Sequence, residues 1–363
     1  MAIIEKDRIT IRSPDDMHLH LRWDERLYHA IQHTFSHWGR GIIMPNTDEN
    51  RPILTSKDVK EYRNEIFNFL HQFLATHAFE PLMTIKLVKT TTFEVVHAAA
   101  EAGVKAIKSY PLGVTTNSEN GVSMNDLVTE FGGVFKAMEE RGMVLSLHGE
   151  HPEYFCLDRE DYFIPVLRQM QANHPGLKIV LEHITTKNAV QLVQQDTTGN
   201  LAATITLHHL FLTLDDVIGG SLMPHNFCKP LAKRPEDRDA LISAVISGNP
   251  KFFFGSDSAP HFQHTKESAC GCAGVFSAPV ALPLLTSFFD EQDALEKLEP
   301  FVSQFGAQFY GLPLNRGTVT IERGSWTVPL LYSDSGSLRQ LVPFWAGREI
   351  SWNVVVRHCQ LYE

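Results

Sequence analysis

The chain has 363 residues, 43% of them hydrophobic and 20% charged, a globular balance that excludes disordered and fibrous classes. Its formal charge of −10 comes with scattered Lys and Arg, so no basic stripe invites a nucleic acid, and an anionic substrate would have to be met by local cations or bound metal. Residues 1–6 lack the pattern of a signal peptide, no apolar run is long enough to span a membrane, and five cysteines (Cys156, Cys228, Cys270, Cys272 and Cys359) read as reduced thiols, so a cytoplasmic protein is expected.

In chain order, β-rich runs fall at 17–21, 41–44, 82–88, 104–109, 143–148, 178–184, 201–209 and 251–256. Helical periodicity fills the gaps at 57–75, 93–102, 125–141, 161–173 and 238–247. Eight β-α units predict a closed parallel (β/α)8 barrel of the TIM type rather than an open doubly wound sheet. Helical stretches at 279–289 and 293–309 follow, then Gly- and Pro-rich strand-like sequence from Gly317 onward. We expect one domain, with a barrel over about 14–311 and a C-terminal cap over about 312–363. Ile9-Thr10-Ile11 and Thr318-Val319-Thr320 are candidates to pair as a small sheet outside the barrel.

The first run contains His18-Leu19-His20. Alternate strand residues share a face, so two imidazoles can meet one metal ion. Cys270-Gly271-Cys272 has no second Cys/His pair at zinc-ribbon spacing and makes a poor zinc site. In a β/α barrel the working groups sit at the C-terminal ends of the strands. Lys108, His148, His183 and Asp257 fall at such ends and, with His18 and His20, give six candidates for one mouth. Each alone reads as a hydrogen-bonded or salt-bridged structural group. Together, four His and one Asp are too many for one tetrahedral zinc and suit two adjacent metals, whose mutual repulsion an anionic bridge would relieve. Arg22, two residues beyond His20, shares its strand face nearer the mouth and is the candidate clamp for a carboxylate.

The motifs Asp16-Met17-His18-Leu19-His20-Leu21-Arg22, Lys108-Ser109-Tyr110-Pro111, Leu147-His148-Gly149-Glu150, Leu181-Glu182-His183-Ile184-Thr185-Thr186 and Gly255-Ser256-Asp257-Ser258-Ala259-Pro260-His261 resemble the shorter bacterial dihydroorotases of the amidohydrolase superfamily. So do Thr115-Thr116-Asn117-Ser118 and residues 266–274. The resemblance implies a zinc enzyme that reversibly cyclises N-carbamoyl-L-aspartate to (S)-dihydroorotate, the third step of de novo pyrimidine synthesis.

It implies two zinc ions per subunit, one held by His18, His20 and Asp257 and the other by His148 and His183. They would be bridged by hydroxide and by Lys108 carboxylated on its amine. The hydroxide would attack the ring amide, with Asp257 as general base and then general acid. Asn46 and His261 match the other carboxylate contacts, and Lys229 and Ala273 match contacts to the ring edge made largely through backbone. Leucine is typical of the family at the first of these, so Lys229 is a departure. Thr115 and Thr116 match a loop that closes over substrate through its hydroxyls. The resemblance also implies a homodimer. The alternatives are a hydantoin- or allantoin-opening relative, which would share the metals without this clamp, and a non-catalytic barrel scaffold, which should have lost ligands.

Overall fold

The computed structural model describes residues 2–73, 79–115, 118–333 and 339–358. Two short strands, β1 (Ile3–Glu5) and β2 (Arg8–Arg12), precede eight parallel ones: β3 (Asp15–Leu19), β4 (Arg40–Ile43), β5 (Glu80–Lys86), β6 (Ala106–Ser109), β7 (Val144–His148), β8 (Lys178–Glu182), β9 (Leu201–Ile205) and β10 (Phe252–Phe254). They lie side by side in chain order from β3 to β10, as βαβ units require. The ends meet where Asp257 N–H donates to His18 O at 2.8 Å, His20 N–H donates to Ser258 O at 3.0 Å, and Leu19 bridges Ser258 in parallel. Buried Asp16 strengthens this seam, since its Oδ1 accepts from Ser256 N at 2.8 Å and His18 N at 3.2 Å. The eight predicted strands and the barrel are thus present.

Side-chain alternation explains what the barrel holds. One apolar layer takes a residue from every strand: Met17, Ile42, Leu82, Ala106, Val144, Val180, Ala202 and Phe253, plugged by Ala307, Tyr310 and neighbours. Lys178 donates to Phe309 O and Arg40 to Pro313 O, both from strand starts, so this plug seals the N-terminal end. Two residues further along six strands stand Thr84, Lys108, Ser146, Glu182, Thr204 and Gly255, all buried. The interior therefore changes from apolar to polar in one step towards the mouth. Two more residues along come Asn46, Lys86, Tyr110, His148, Thr206 and Asp257. Strand β3 reaches the same layers through a register irregularity between Asp16 and Leu19. It lets Met17 enter the plug while His18 and His20 face the site.

Three expected elements differ in extent. The run expected at 201–209 stops at Ile205, because the Thr206 side chain caps a new turn, Leu207–Phe211, by accepting from His209 N. The helix expected at 125–141 is two, Met124–Thr129 capped by Ser123 and Gly132–Arg141 ended by left-handed Gly142, since Gly132 and Gly133 favour a break. The segment expected as one helix at 293–309 is a 3-10 turn (Leu295–Lys297), a π turn (Pro300–Gln304) and a short helix (Phe305–Phe309). Among the described residues no helix is long and apolar enough to cross a membrane.

The terminal segments pair as the sequence suggested. β2 runs antiparallel to β11 (Thr318–Thr327), with Thr10 opposite Thr320, and β11 pairs with β12 (Glu349–His358). A buried ion pair fixes this sheet's approach to the barrel: Arg40 forks onto Asp15 at 2.9 and 2.8 Å, and Asn315 donates to Asp15 Oδ1 at 2.7 Å and to Ser13 O at 2.8 Å. Removing the cation would strand a buried carboxylate. Arg40→Met is expected to lower stability by about 3–5 kcal/mol, read from the urea midpoint; a loss under about 1 kcal/mol would show that the pair does not hold the two together.

Candidate metal centre and active site

The two polar layers place the predicted ligands in contact. His18 Nε2 and His20 Nε2 lie 3.3 and 3.0 Å from Asp257 Oδ1. Ring centroids are 5.4 Å apart for His18 and His20, 5.0 Å for His18 and His183, and 4.7 Å for His148 and His183. Lys108 is fully buried, and its Nζ has no hydrogen-bond partner. All six predicted metal-site residues therefore converge.

His183 is the outlier by alternation, since Glu182 occupies the inward position. A left-handed backbone (φ 42°) turns His183 into the site, and Asp257 (φ 45°) and Arg22 (φ 64°) share that conformation. Such residues cost about 1–3 kcal/mol each and persist only where surrounding contacts enforce them. For His183 those contacts are visible: its N–H donates to Thr204 Oγ1 at 2.7 Å, and buried Glu160 receives the N–H and O–H groups of both Thr185 and Thr186.

Electrostatics favour neutral rings at three of the four histidines. Burial, with Arg22 nearby, holds the His20 pKa down at about 3. Burial also lowers His148, and, aided by Lys108, His183. Burial presses the Lys108 amine down to about 8. Burial opposes charge on both His18 and Asp257, yet Glu182 keeps His18 above its ordinary value, and hydrogen bonds from His18 and His20 hold Asp257 well below the carboxylate range. Neutral imidazole, carboxylate and a deprotonable amine are the forms that ligate metal. Buried Lys108 Nζ, His20 Nδ1 and His183 Nδ1 have no hydrogen-bond partner, and this set of nitrogen donors beside a carboxylate has the chemistry that fits a divalent metal.

Sequence reasoning assigned no part to the layer behind these ligands. Glu182 Oε2 lies 2.9 Å from His18 Nδ1 and accepts from Thr204 Oγ1 at 2.6 Å. Glu150 Oε2 lies 2.6 Å from His148 Nε2. Both glutamates were inside recognised motifs. The signal for Glu182 was its strand parity, inward with Val180 and next to Thr204.

Nearer the mouth, Arg22 is buried, donates to Asn46 O at 3.2 Å and lies 3.2 Å from His261 Nε2. Burial lowers its pKa to about 10, leaving it a cation at neutral pH. Tyr110 donates its hydroxyl to Asn46 Oδ1 at 2.7 Å. Arg22 and His261 line one cavity, and Thr115, Phe227, Lys229, Cys272 and Ala273 line a second. Thr116 lies outside the described residues.

A comparison with known protein-family models found no match. Among curated proteins, the dihydroorotase of Shewanella pealeana is 46% identical over 351 residues, covering 96% of this chain and 99% of that protein. Among solved structures, a dihydroorotase from Saccharomyces cerevisiae, crystallised with 5-fluoroorotic acid, superposes with a TM-score of 0.89 at 36% identity, covering 98% and 100% of the two chains. The L-hydantoinase of Arthrobacter aurescens shares the fold alone, at a TM-score of 0.78 and 15% identity, covering 98% of this chain and 86% of that one. With the relative covered almost end to end, the chain belongs to the dihydroorotase family, metal-dependent cyclic-amide hydrolases of the amidohydrolase superfamily.

Proposed function

We propose that this centre holds two zinc ions and catalyses reversible cyclisation of N-carbamoyl-L-aspartate to (S)-dihydroorotate. The observation that carries the reading is the buried, unpartnered Lys108 amine among four imidazoles and a carboxylate. An amine whose pKa burial presses down to about 8 is neutral in an appreciable fraction near neutral pH and in that form is nucleophilic towards carbon dioxide, and the resulting N6-carboxylysine would offer two anionic oxygens. His18, His20 and Asp257 would hold one ion, His148 and His183 the other, and carboxylated Lys108 both. When bound, the ions supply an acidified water and polarise the scissile carbonyl.

The protein's own groups then have separable tasks. Glu182 behind His18 and Glu150 behind His148 each occupy one ring nitrogen, leaving the other to face the centre. Asp257 takes the proton of the attacking water on a carboxylate oxygen as the new C–O bond forms. It returns that proton to the ring nitrogen as the C–N bond breaks, so the nitrogen departs as a neutral ureido group. Arg22, supported by Asn46 and His261, receives the substrate carboxylate in a buried setting where a charge-assisted hydrogen bond is strong. Backbone groups at Lys229 and Ala273 would meet the ring edge, and the hydroxyls of Thr115 and Thr116 its open side. We further propose a cytoplasmic homodimer.

Three outcomes follow. Lys108→Ala is expected to lose most of its zinc, from about two per chain, in metal analysis after gel filtration; wild-type metal content would remove the bridging role. Asp257→Asn should cut turnover about 100-fold or more, whereas unchanged kcat would assign the proton to another group. Arg22→Met should raise KM for dihydroorotate about 10- to 100-fold while a hydantoin lacking the carboxylate is indifferent to the change. Equal effects on both compounds would sink the clamp.

A further inference from the structure

The segment that follows β6 begins two residues after Lys108 and is tied at its base. Val122 N–H donates to Tyr110 O at 2.9 Å, and Gly113 and Gly121 N–H groups both donate to Ser118 O, at 3.0 and 2.9 Å. Inside it, Thr115 N–H donates to Ser118 Oγ at 3.0 Å and Ser118 Oγ donates back to Thr115 O at 2.6 Å. Val114 and Ser118 are buried, so these two residues pack against the rest of the fold.

Two lysines from other parts of the barrel reach it. Lys229, from the connection after β9, donates its ammonium to Val114 O at 2.6 Å. Lys86, at the end of β5, donates to Asn120 Oδ1. Thr115 and Lys229 line the same cavity as Phe227 and Ala273. A charge-assisted bond to a backbone carbonyl is stronger than a neutral one, and this one joins residues 115 positions apart, so it constrains the segment where local hydrogen bonds cannot.

We propose that Lys229 is a positioning residue: its ammonium pins the Val114 carbonyl and so sets Thr115 against the mouth before substrate arrives, with Lys86 securing the far side through Asn120. Part of the ordering that closure over substrate requires is then in place before binding, which lowers its cost. This rests on the reading of the cavity as the dihydroorotate site.

The test compares wild type, Lys229→Met and Lys229→Arg as full-length, metal-loaded proteins. Hydrogen exchange of the peptide over residues 110–122 is followed in the ligand-free state, and KM and kcat are measured with dihydroorotate. Methionine keeps the length but loses the donor; exchange in this peptide alone should quicken by about tenfold, and KM should rise about fivefold or more with kcat within about twofold. Arginine, which retains a cationic donor, should restore both. Unchanged exchange would overturn the pinning, and quickened exchange with unchanged KM would overturn its role in the reaction. If the methionine variant does not fold, Lys229→Gln is judged by the same criteria. Absence of wild-type turnover would fail the dihydroorotate reading instead, while exchange still decides the pinning.

Discussion

Burial of charge is the constraint on which this site depends. The barrel is closed below by eight apolar side chains and Tyr310, so every polar group in the next layer has to find its counterpart within the same small volume or bear the full desolvation penalty. Glu182 answers His18 and Thr204, Glu150 answers His148, and Glu160 answers Thr185 and Thr186. Lys108 Nζ is among the buried atoms left without a hydrogen-bond partner. An amine in that position is driven towards its neutral form, and the same desolvation that removes its charge makes it reactive.

Backbone strain recurs in this layer: of the five non-glycine residues with left-handed backbone among those described, three lie here. His183, Asp257 and Arg22 adopt left-handed backbone, and all three carry side chains into the site. Their neighbours are over-determined: Thr204 holds the His183 amide, and His18 O takes the Asp257 amide across the barrel seam. Gly255 shows how tight the seam is. A Cβ there would come within 2.8 Å of His18 Cβ and 3.0 Å of Thr204 Cβ, so the strand can pass between a ligand and its support only without a side chain.

Much of this was legible in the sequence. Period-two alternation and eight β-α units gave the barrel, and strand-end position picked out Lys108, His148 and Asp257. His18 and His20 do share a face, but the reason they can, while Met17 also points inward, is an irregularity between Asp16 and Leu19 that no periodicity announces. His183 was found by its motif and its place at a strand end. Its inward direction contradicts alternation and depends on a backbone conformation fixed by residues 21 and 23 positions away, Thr204 and Glu160. The early stop of β9 was hidden because Leu207-His208-His209 continues an apolar run, and only the Thr206 cap breaks it.

Two clusters of ligand-type side chains occur among the described residues, and comparing them shows what spacing alone cannot decide. His208, His209 and Cys228 are as buried and as closely grouped as His18, His20 and Asp257. Yet His209 meets Thr206 Oγ1 at 2.8 Å through Nδ1 and Pro230 O at 3.1 Å through Nε2, and the Cys228 thiol donates to the same carbonyl at 3.2 Å. Burial pushes that thiol up to about 12, so it stays protonated as a donor. Two of its three members are already satisfied by protein, whereas around Lys108 the orphaned atoms belong to several ligands at once. Both ring nitrogens of His208 remain without a partner, so it is the protein-satisfied groups of His209 and Cys228, added to proximity, that set this cluster apart from the one around Lys108.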